Sequence, residues 1–244
     1  MKKVFITGAN KGIGFATAKQ LLQKGFYVYL GCRNHERGMK AVEQLRSENL
    51  TNVAIQQIDI TDDESVKNAS IELGKKVEKI DVLINNVGIT GDLPQDALTA
   101  TVSEFEKVLN TNLYGTLRVV QSFKYLLEKS DEPQIINISS SIGSLKLHSD
   151  KSWKYYKNAN FFMVYAVSKA ALNMYSISLA NQLPRFRVNL VDPGFIKTDL
   201  TNNQGSGTPD EAANSIVDTI LNENLPTGKF ASNDHDPISN ECPW

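Results

Sequence analysis

Short β-branched runs alternate along the whole chain with longer segments of helical period, and this order constrains the fold more than any other feature. "KKVFIT" (2–7), "FYVYLG" (26–31), "VAIQQID" (53–59), "DVLINN" (81–86), "QIINIS" (134–139) and "RVNLVD" (187–192) read as strands, with a last short one around 229–231. Helical patterns lie between them at 11–25, about 35–48, after Asp62, about 102–128, around Tyr165 and near 209–222. Gly25 ends the first helix; Asp62, Asp63 and Glu64 put carboxylates at the start of the third, where they suit its dipole. Such alternation predicts an α/β fold with a parallel sheet and helices on both faces. Right-handed crossovers then make it a doubly wound sheet, with a ligand crevice at the carboxyl ends of the strands. No repeat, low-complexity tract or linker interrupts the pattern, which predicts a single domain over 1–244.

The bulk numbers exclude several classes. Apolar residues make up 41% and charged residues 22% of the chain, near the values of ordinary globular proteins. A formal net charge of −1 provides no global field for nucleic acid or an anionic membrane. The start, "MKKVFITGAN", has too short an apolar stretch for a signal peptide, and no run approaches bilayer length. Cys32 and Cys242 lie far apart and suggest neither a disulfide framework nor a metal cluster. His35, His148 and His235 have no metal-ligand spacing, so no metal site is expected and His148 reads as a surface-loop residue. These features predict a reduced, cytoplasmic protein.

The first strand runs into "TGANKGIG", with Gly8, Gly12 and Gly14 at the turn and the helix start. Glycines here let backbone N–H groups and the positive helix end approach a pyrophosphate. At the end of the second strand an acidic residue would bind ribose hydroxyls, whereas an arginine accommodates a 2′-phosphate. The sequence there is "YLGCRN": Cys32 takes the acidic position and Arg33 follows it. Lys11 adds a second cation beside the turn. NADP(H) is therefore expected over NAD(H), which the turn also admits, and Cys32 reads as a small residue beside the adenosine ribose.

Within "NANFFMVYAVSKAALNMYSISLANQL" (158–183), Tyr165 and Lys169 stand one helical turn apart among apolar and small residues. Snorkelling of two long side chains explains such a pair as well as proton transfer does. The spacing alone does not decide, because Tyr125 and Lys129 repeat it.

Taken together these motifs resemble the short-chain dehydrogenases/reductases, a Rossmann-fold family, over nearly the whole chain. "TGANKGIG" (7–14) resembles the family's cofactor turn, and "NNVG" (85–88) its strand-four motif, with Val87 where alanine is usual. "DIT" (59–61), "NTNLYG" with Asn112, "NISSSIG" (137–143), "YAVSK" (165–169) and "DPGFIKTDL" (192–200) follow in family order. "NKGIG" and the final "PISNECPW" are most similar to the carbonyl-reductase branch. The resemblance implies cofactor contacts from Gly8, Asn10, Lys11, Gly12, Ile13, Gly14, Arg33, Asp59, Ile60, Asn86, Val87 and Gly88. It implies others from Tyr165, Lys169, Pro193, Gly194, Ile196 and Thr198. It assigns Tyr165 as the acid that protonates the substrate oxygen, with Lys169 lowering the phenol pKa and binding the nicotinamide ribose. Asn112 would bend its helix and hold a relay water. Of Ser139, Ser140 and Ser141, the one three residues before Gly143 is Ser140, which would donate to the carbonyl oxygen. Tyr125 and Lys129 lack a preceding serine strand-end and lie toward the opposite end of the sheet, so they read as packing.

The implied reaction is hydride transfer from NADPH to a ketone or aldehyde, giving an alcohol reversibly. The alternatives are a 3-oxoacyl thioester or steroid reductase, an NAD(H)-preferring alcohol dehydrogenase and, more remotely, a non-catalytic dinucleotide-binding regulator. Ser140 and Tyr165 are 25 residues apart, a longer gap than in many family members. The intervening "LKLHSDKSWKYYKNAN" (145–160), rich in lysine and aromatics, reads as a loop over the substrate pocket favouring apolar or aromatic carbonyls. It also puts the tetramer packing frequent in the family in doubt, while a homo-oligomer stays open. The partners expected are a small-molecule carbonyl or alcohol and no nucleic acid or membrane.

Overall fold

In β1 (Lys3–Thr7), Val4, Phe5 and Ile6 are all fully buried, so the strand is covered on both faces. Alternation sends Val4 and Ile6 to one side and Phe5 to the other. The structure, a computed structural model, describes residues 1–232 and 241–244. β2 (Tyr27–Cys32), β3 (Val53–Gln57), β4 (Val82–Asn85), β5 (Gln134–Ile138), β6 (Arg187–Asp192) and β7 (Phe230–Ser232) complete a seven-stranded sheet of order 3-2-1-4-5-6-7. Every pairing is parallel. The strand order reverses between β1 and β4, and a crevice opens there beyond the strand carboxyl ends.

On the Val4–Ile6 side pack α1 (Gly12–Gln23), α2 (His35–Ser47) and α9 (Pro209–Leu221), through residues such as Leu21, Leu45 and Ile216. On the Phe5 side pack α3 (Asp63–Lys76), α5 (Thr116–Leu127) and α8 (Met163–Gln182). Phe5 stacks on Phe123 of α5 at 4.5 Å between ring centroids. Helix starts follow local chemistry: Asn34 caps α2, Asp62 caps α3, and Thr208 with Glu211 forms a capping box on α9.

A chain of buried amides links sheet and helix. Asn85 Nδ2 donates to Asn137 Oδ1 at 2.8 Å, and Asn137 Nδ2 donates to Ser176 Oγ at 2.8 Å. The Ser176 hydroxyl in turn donates to the Leu172 carbonyl within α8.

Two segments differ from the sequence reading. The helix expected over 102–128 is α4 (Val102–Leu109) and α5 separated by a π-helical turn, Asn110–Gly115. The 145–160 segment forms two short helices, α6 (Leu145–Ser149) and α7 (Tyr156–Ala159), with Trp153 buried against His148 and Tyr155. The Lys146 N–H donates to the Trp244 carbonyl at 3.0 Å, drawing the segment toward the outer edge of the sheet, where Trp244 packs on Phe230. His148 is half-buried rather than a surface residue, and burial lowers its pKa. His235 and the first part of "PISNECPW" lie outside the described residues. Among the described residues no helix is long and apolar enough to cross a membrane.

Tyr125 lies near the carboxyl end of α5, 41% exposed, its hydroxyl donating to the Ser70 carbonyl. Substituting Phe123→Ala will lower unfolding stability by about 3–5 kcal/mol, the usual cost of emptying a buried phenylalanine site. Tyr125→Phe will cost about 1 kcal/mol, one part-buried hydrogen bond. Urea unfolding midpoints of the two variants check both values.

Candidate active site

The crevice is a cleft of about 1010 Å³ walled by the carboxyl ends of β1, β4, β5 and β6. Gly8 shapes its floor. Its φ is +68°, and a Cβ there would meet Val87 Cγ2 at 2.8 Å, so the turn requires a bare α-carbon. Asn86 fastens this turn to β4: its Nδ2 donates to the Thr7 carbonyl at 2.9 Å, and its N–H donates to Thr7 Oγ1 at 3.0 Å. α1 begins beside the turn without a side-chain cap or a first-turn carboxylate. Its free N–H groups and positive dipole end therefore suit an anion.

Tyr165, Lys169 and Ser140 meet on the opposite wall. The Ser140 hydroxyl faces the Tyr165 phenol closely enough to favour its charged form, whereas Ser139 turns away to donate to Asn173 Oδ1. Lys169 is 3% exposed, and its Nζ donates to the Ile138 carbonyl at 2.8 Å. The strand end approaches α8 this closely through Gly143, where a Cβ would lie 2.7 Å from the Lys169 carbonyl carbon. Lys169 Nζ also lies 5.7 Å from the centroid of the Tyr165 ring.

Burial is the largest influence on both titrating groups. It pushes the Tyr165 phenol above its ordinary range; the Asp192 carboxylate adds to the rise and the facing Ser140 hydroxyl opposes it. Burial lowers Lys169 to about 8, with Asp192 pulling the other way. Contrary to the lowering expected from Lys169, which is not among the influences on Tyr165, the phenol pKa is raised, chiefly by desolvation. Asp192 itself ends β6, 2% exposed, and accepts from the Gly194 N–H and the Ser232 hydroxyl.

Asn112 sits in the π-helical turn, fully buried behind the cleft wall. Its Oδ1 accepts from the Ile89 N–H, and its Nδ2 donates to the Ile89 carbonyl and to Ser168 Oγ, each at 2.9 Å. Both Nδ2 hydrogens are thereby committed, whereas Oδ1 keeps a second acceptor position.

The structure brings Gly8, Asn10, Lys11, Gly12, Ile13, Asn86, Val87, Gly88, Ser140, Tyr165 and Lys169 to the cleft wall. Pro193, Gly194, Ile196 and Thr198 line it too. Gly14, Arg33, Asp59, Ile60 and Asn112 lie outside that lining. Arg33 is exposed beyond β2, within electrostatic reach of Asp59. Burial of Asp59 favours a raised pKa, but hydrogen bonds from Thr61 and the Arg33 charge win and hold it below the usual carboxylate range. Lys11 is paired with Asp199 across the cleft mouth. No residue of 145–160 lines the cleft. Among the described residues no group of His, Cys, Asp and Glu is arranged to hold a metal ion.

Sequence reasoning missed Asp192, Gln95 and Ser168. The first was visible as a carboxylate directly before Pro193; the other two carried no local signal.

Comparison with known proteins matches residues 2–208 to the short chain dehydrogenase family model. The chain is 32% identical to salutaridine reductase of Papaver bracteatum, covering 94% of each chain. It is also 32% identical to (+)-neomenthol dehydrogenase of Arabidopsis thaliana, over 93% of this chain and 94% of that one. Among solved structures, NADPH-bound carbonyl reductase from chicken fatty liver superposes with a TM-score of 0.84 at 26% identity, over 100% of this chain and 99% of that one. The chain belongs to the short-chain dehydrogenase/reductase family, NAD(P)-dependent oxidoreductases acting on carbonyl and CH–OH groups.

Proposed function

We propose that the protein is an NADPH-dependent reductase of ketones or aldehydes in which Ser140, Tyr165 and Lys169 handle the substrate oxygen. The observation that carries this reading is the Ser140 hydroxyl facing the Tyr165 phenol, beside the buried Lys169 ammonium on one cleft wall. The bare Gly8 turn and the uncapped start of α1 fit a dinucleotide pyrophosphate. Gly8, Gly12, Ile13, Asn86, Gly88 and Thr198 would hold it, and Arg33 would face a 2′-phosphate. When bound, the dinucleotide supplies the hydride that reaches the carbonyl carbon.

The chain's own residues govern the oxygen. Ser140 donates a hydrogen bond to it, stabilising the charge that develops there. Tyr165, kept protonated by its raised pKa, gives its proton to that oxygen. Lys169, anchored at Ile138, holds positive charge beside the phenolate left behind. The relatives named reductase and dehydrogenase, and the NADPH-bound carbonyl reductase, support this choice of chemistry and cofactor.

Tyr165→Phe will lower kcat by about 10²–10⁴-fold, the usual contribution of a general acid, while NADPH binding measured by fluorescence persists. Retained turnover would return the oxygen chemistry to another residue; a wild type that binds NADPH but never turns over would favour the regulator. Arg33→Ala will weaken NADPH about tenfold or more and leave NADH little changed, as expected from losing one charge-assisted hydrogen bond. Isothermal titration with both cofactors checks this.

A pH profile tests the electrostatics. A lysine at about 8 is charged below that pH and neutral above it, so kcat/KM for reduction will fall as pH rises through about 8. Asp192→Asn removes the carboxylate that raises the Lys169 pKa, so its falling limb will move to lower pH.

A further inference from the structure

α8 begins without a cap of its own: Phe162, at its N-cap, offers no side-chain hydrogen bond to the first turn. The orphan N–H groups of a helix start need partners when buried. One of these N–H groups belongs to Tyr165, and its partner comes from a distant loop. Gln95, 2% exposed, accepts from the Tyr165 N–H through Oε1 at 3.1 Å. Its Nε2 donates to the Thr90 carbonyl at 2.8 Å, and its own N–H donates to the Phe161 carbonyl at 2.9 Å. Thr90 lines the cleft, and Phe161 closes the segment that follows α7. A flipped carboxamide would set donor against donor and acceptor against acceptor, so the two side-chain bonds stand or fall together.

The other end of the same peptide unit is also held. Ser168 Oγ donates to the Tyr165 carbonyl at 2.7 Å and accepts from Asn112 Nδ2. With Gln95 on the N–H and Ser168 on the carbonyl, the main chain bearing the phenol is clamped from two directions.

We propose that Gln95 is a positioning residue for Tyr165, fixing the start of α8 to the Thr90 wall of the cleft so that the phenol and the Thr90 loop move as one body. Gln95 acts through the Tyr165 main chain and the Thr90 loop. The inference rests on the reading of Tyr165 as the proton donor. A misplacement of about 1 Å at such a group costs up to about 10²-fold in rate.

The test compares Gln95→Met, which keeps the length and loses both polar ends, with Gln95→Glu, which keeps an acceptor for the Tyr165 N–H and loses the donor to Thr90. Steady-state rates on a ketone panel are read beside NADPH affinity by fluorescence and the primary isotope effect with 4-deuterated NADPH. Gln95→Met is expected to lower kcat about 10–100-fold with a larger isotope effect, at unchanged NADPH affinity. Gln95→Glu is expected to recover most of kcat while ketone KM stays raised, a split that loss of fold would not produce. Wild-type kcat in Gln95→Met overturns the proposal, as does NADPH affinity falling in parallel with kcat. If Gln95→Met does not fold, Gln95→Glu decides: near-normal kcat with raised KM supports the proposal, and any other pattern overturns it. Tyr165→Phe run alongside separates the two failures. An inactive Tyr165→Phe beside a fully active Gln95→Met sinks this inference alone, whereas an active Tyr165→Phe sinks the reading beneath it.

Discussion

A lysine ammonium almost fully removed from water is the constraint around which the cleft is organised. Burying such a charge is costly unless hydrogen bonds and opposite charge compensate it. Lys169 obtains the first from the Ile138 carbonyl and the second from Asp192. Both partners lie at the carboxyl ends of neighbouring strands, β5 and β6, so the sheet must be complete before the ammonium is satisfied. Tyr165 and Ser140 take their places relative to that ammonium, one on its helix and one just past its strand.

Parallel topology does the gathering. All strands end on the same side, so residues from the first turn, the fourth and fifth strand ends and the Pro193–Gly194 bend face one crevice despite their separation in sequence. Fine positioning then falls to buried polar side chains on loops and helices. Asn86 ties β4 to the Gly8 turn, Asn112 holds the Ile89 loop, and Gln95 joins the next stretch of that loop to α8. Each is a carboxamide, able to donate and accept at once without bringing a charge into the interior.

The sheet was legible because buried parallel strands appear as continuous apolar runs, and the cleft wall because its glycines are local features; the Tyr165–Lys169 spacing needed the serine strand end beside it to be told from Tyr125–Lys129. The π-helical turn was not. Val108, Thr111, Asn112, Gly115, Thr116 and Val119 are buried at spacings of three, one or four, as an unbroken α-helix also requires, so periodicity could not reveal the change. The 145–160 segment misled for another reason. Aromatic residues announce burial without saying against what, and here Trp153 packs on His148 and Tyr155 rather than over the cleft. Lys11 was read as a free cation because its partner, Asp199, is brought near only by tertiary structure. The Gln95 contacts are likewise tertiary, and an irregular polar loop gives no pattern from which to foresee them.

The Asn85–Asn137 amide bond has a further consequence, for strand alignment. Strands buried on both faces lack the inside–outside alternation that tells an ordinary sheet which residue lies opposite which. Val, Ile and Leu in β4 and β5 would pack nearly as well one step out of place. The two asparagines would not, because they are paired partners, and sliding either strand strands a carboxamide in apolar surroundings at a cost of a few kcal/mol. Ile138 follows Asn137 directly and Ser140 comes shortly after it, and one step is about 3.3 Å. A pair of amides in the middle of the sheet thus acts as an address label, specifying where along the strand axis the Lys169 anchor and the serine come to rest.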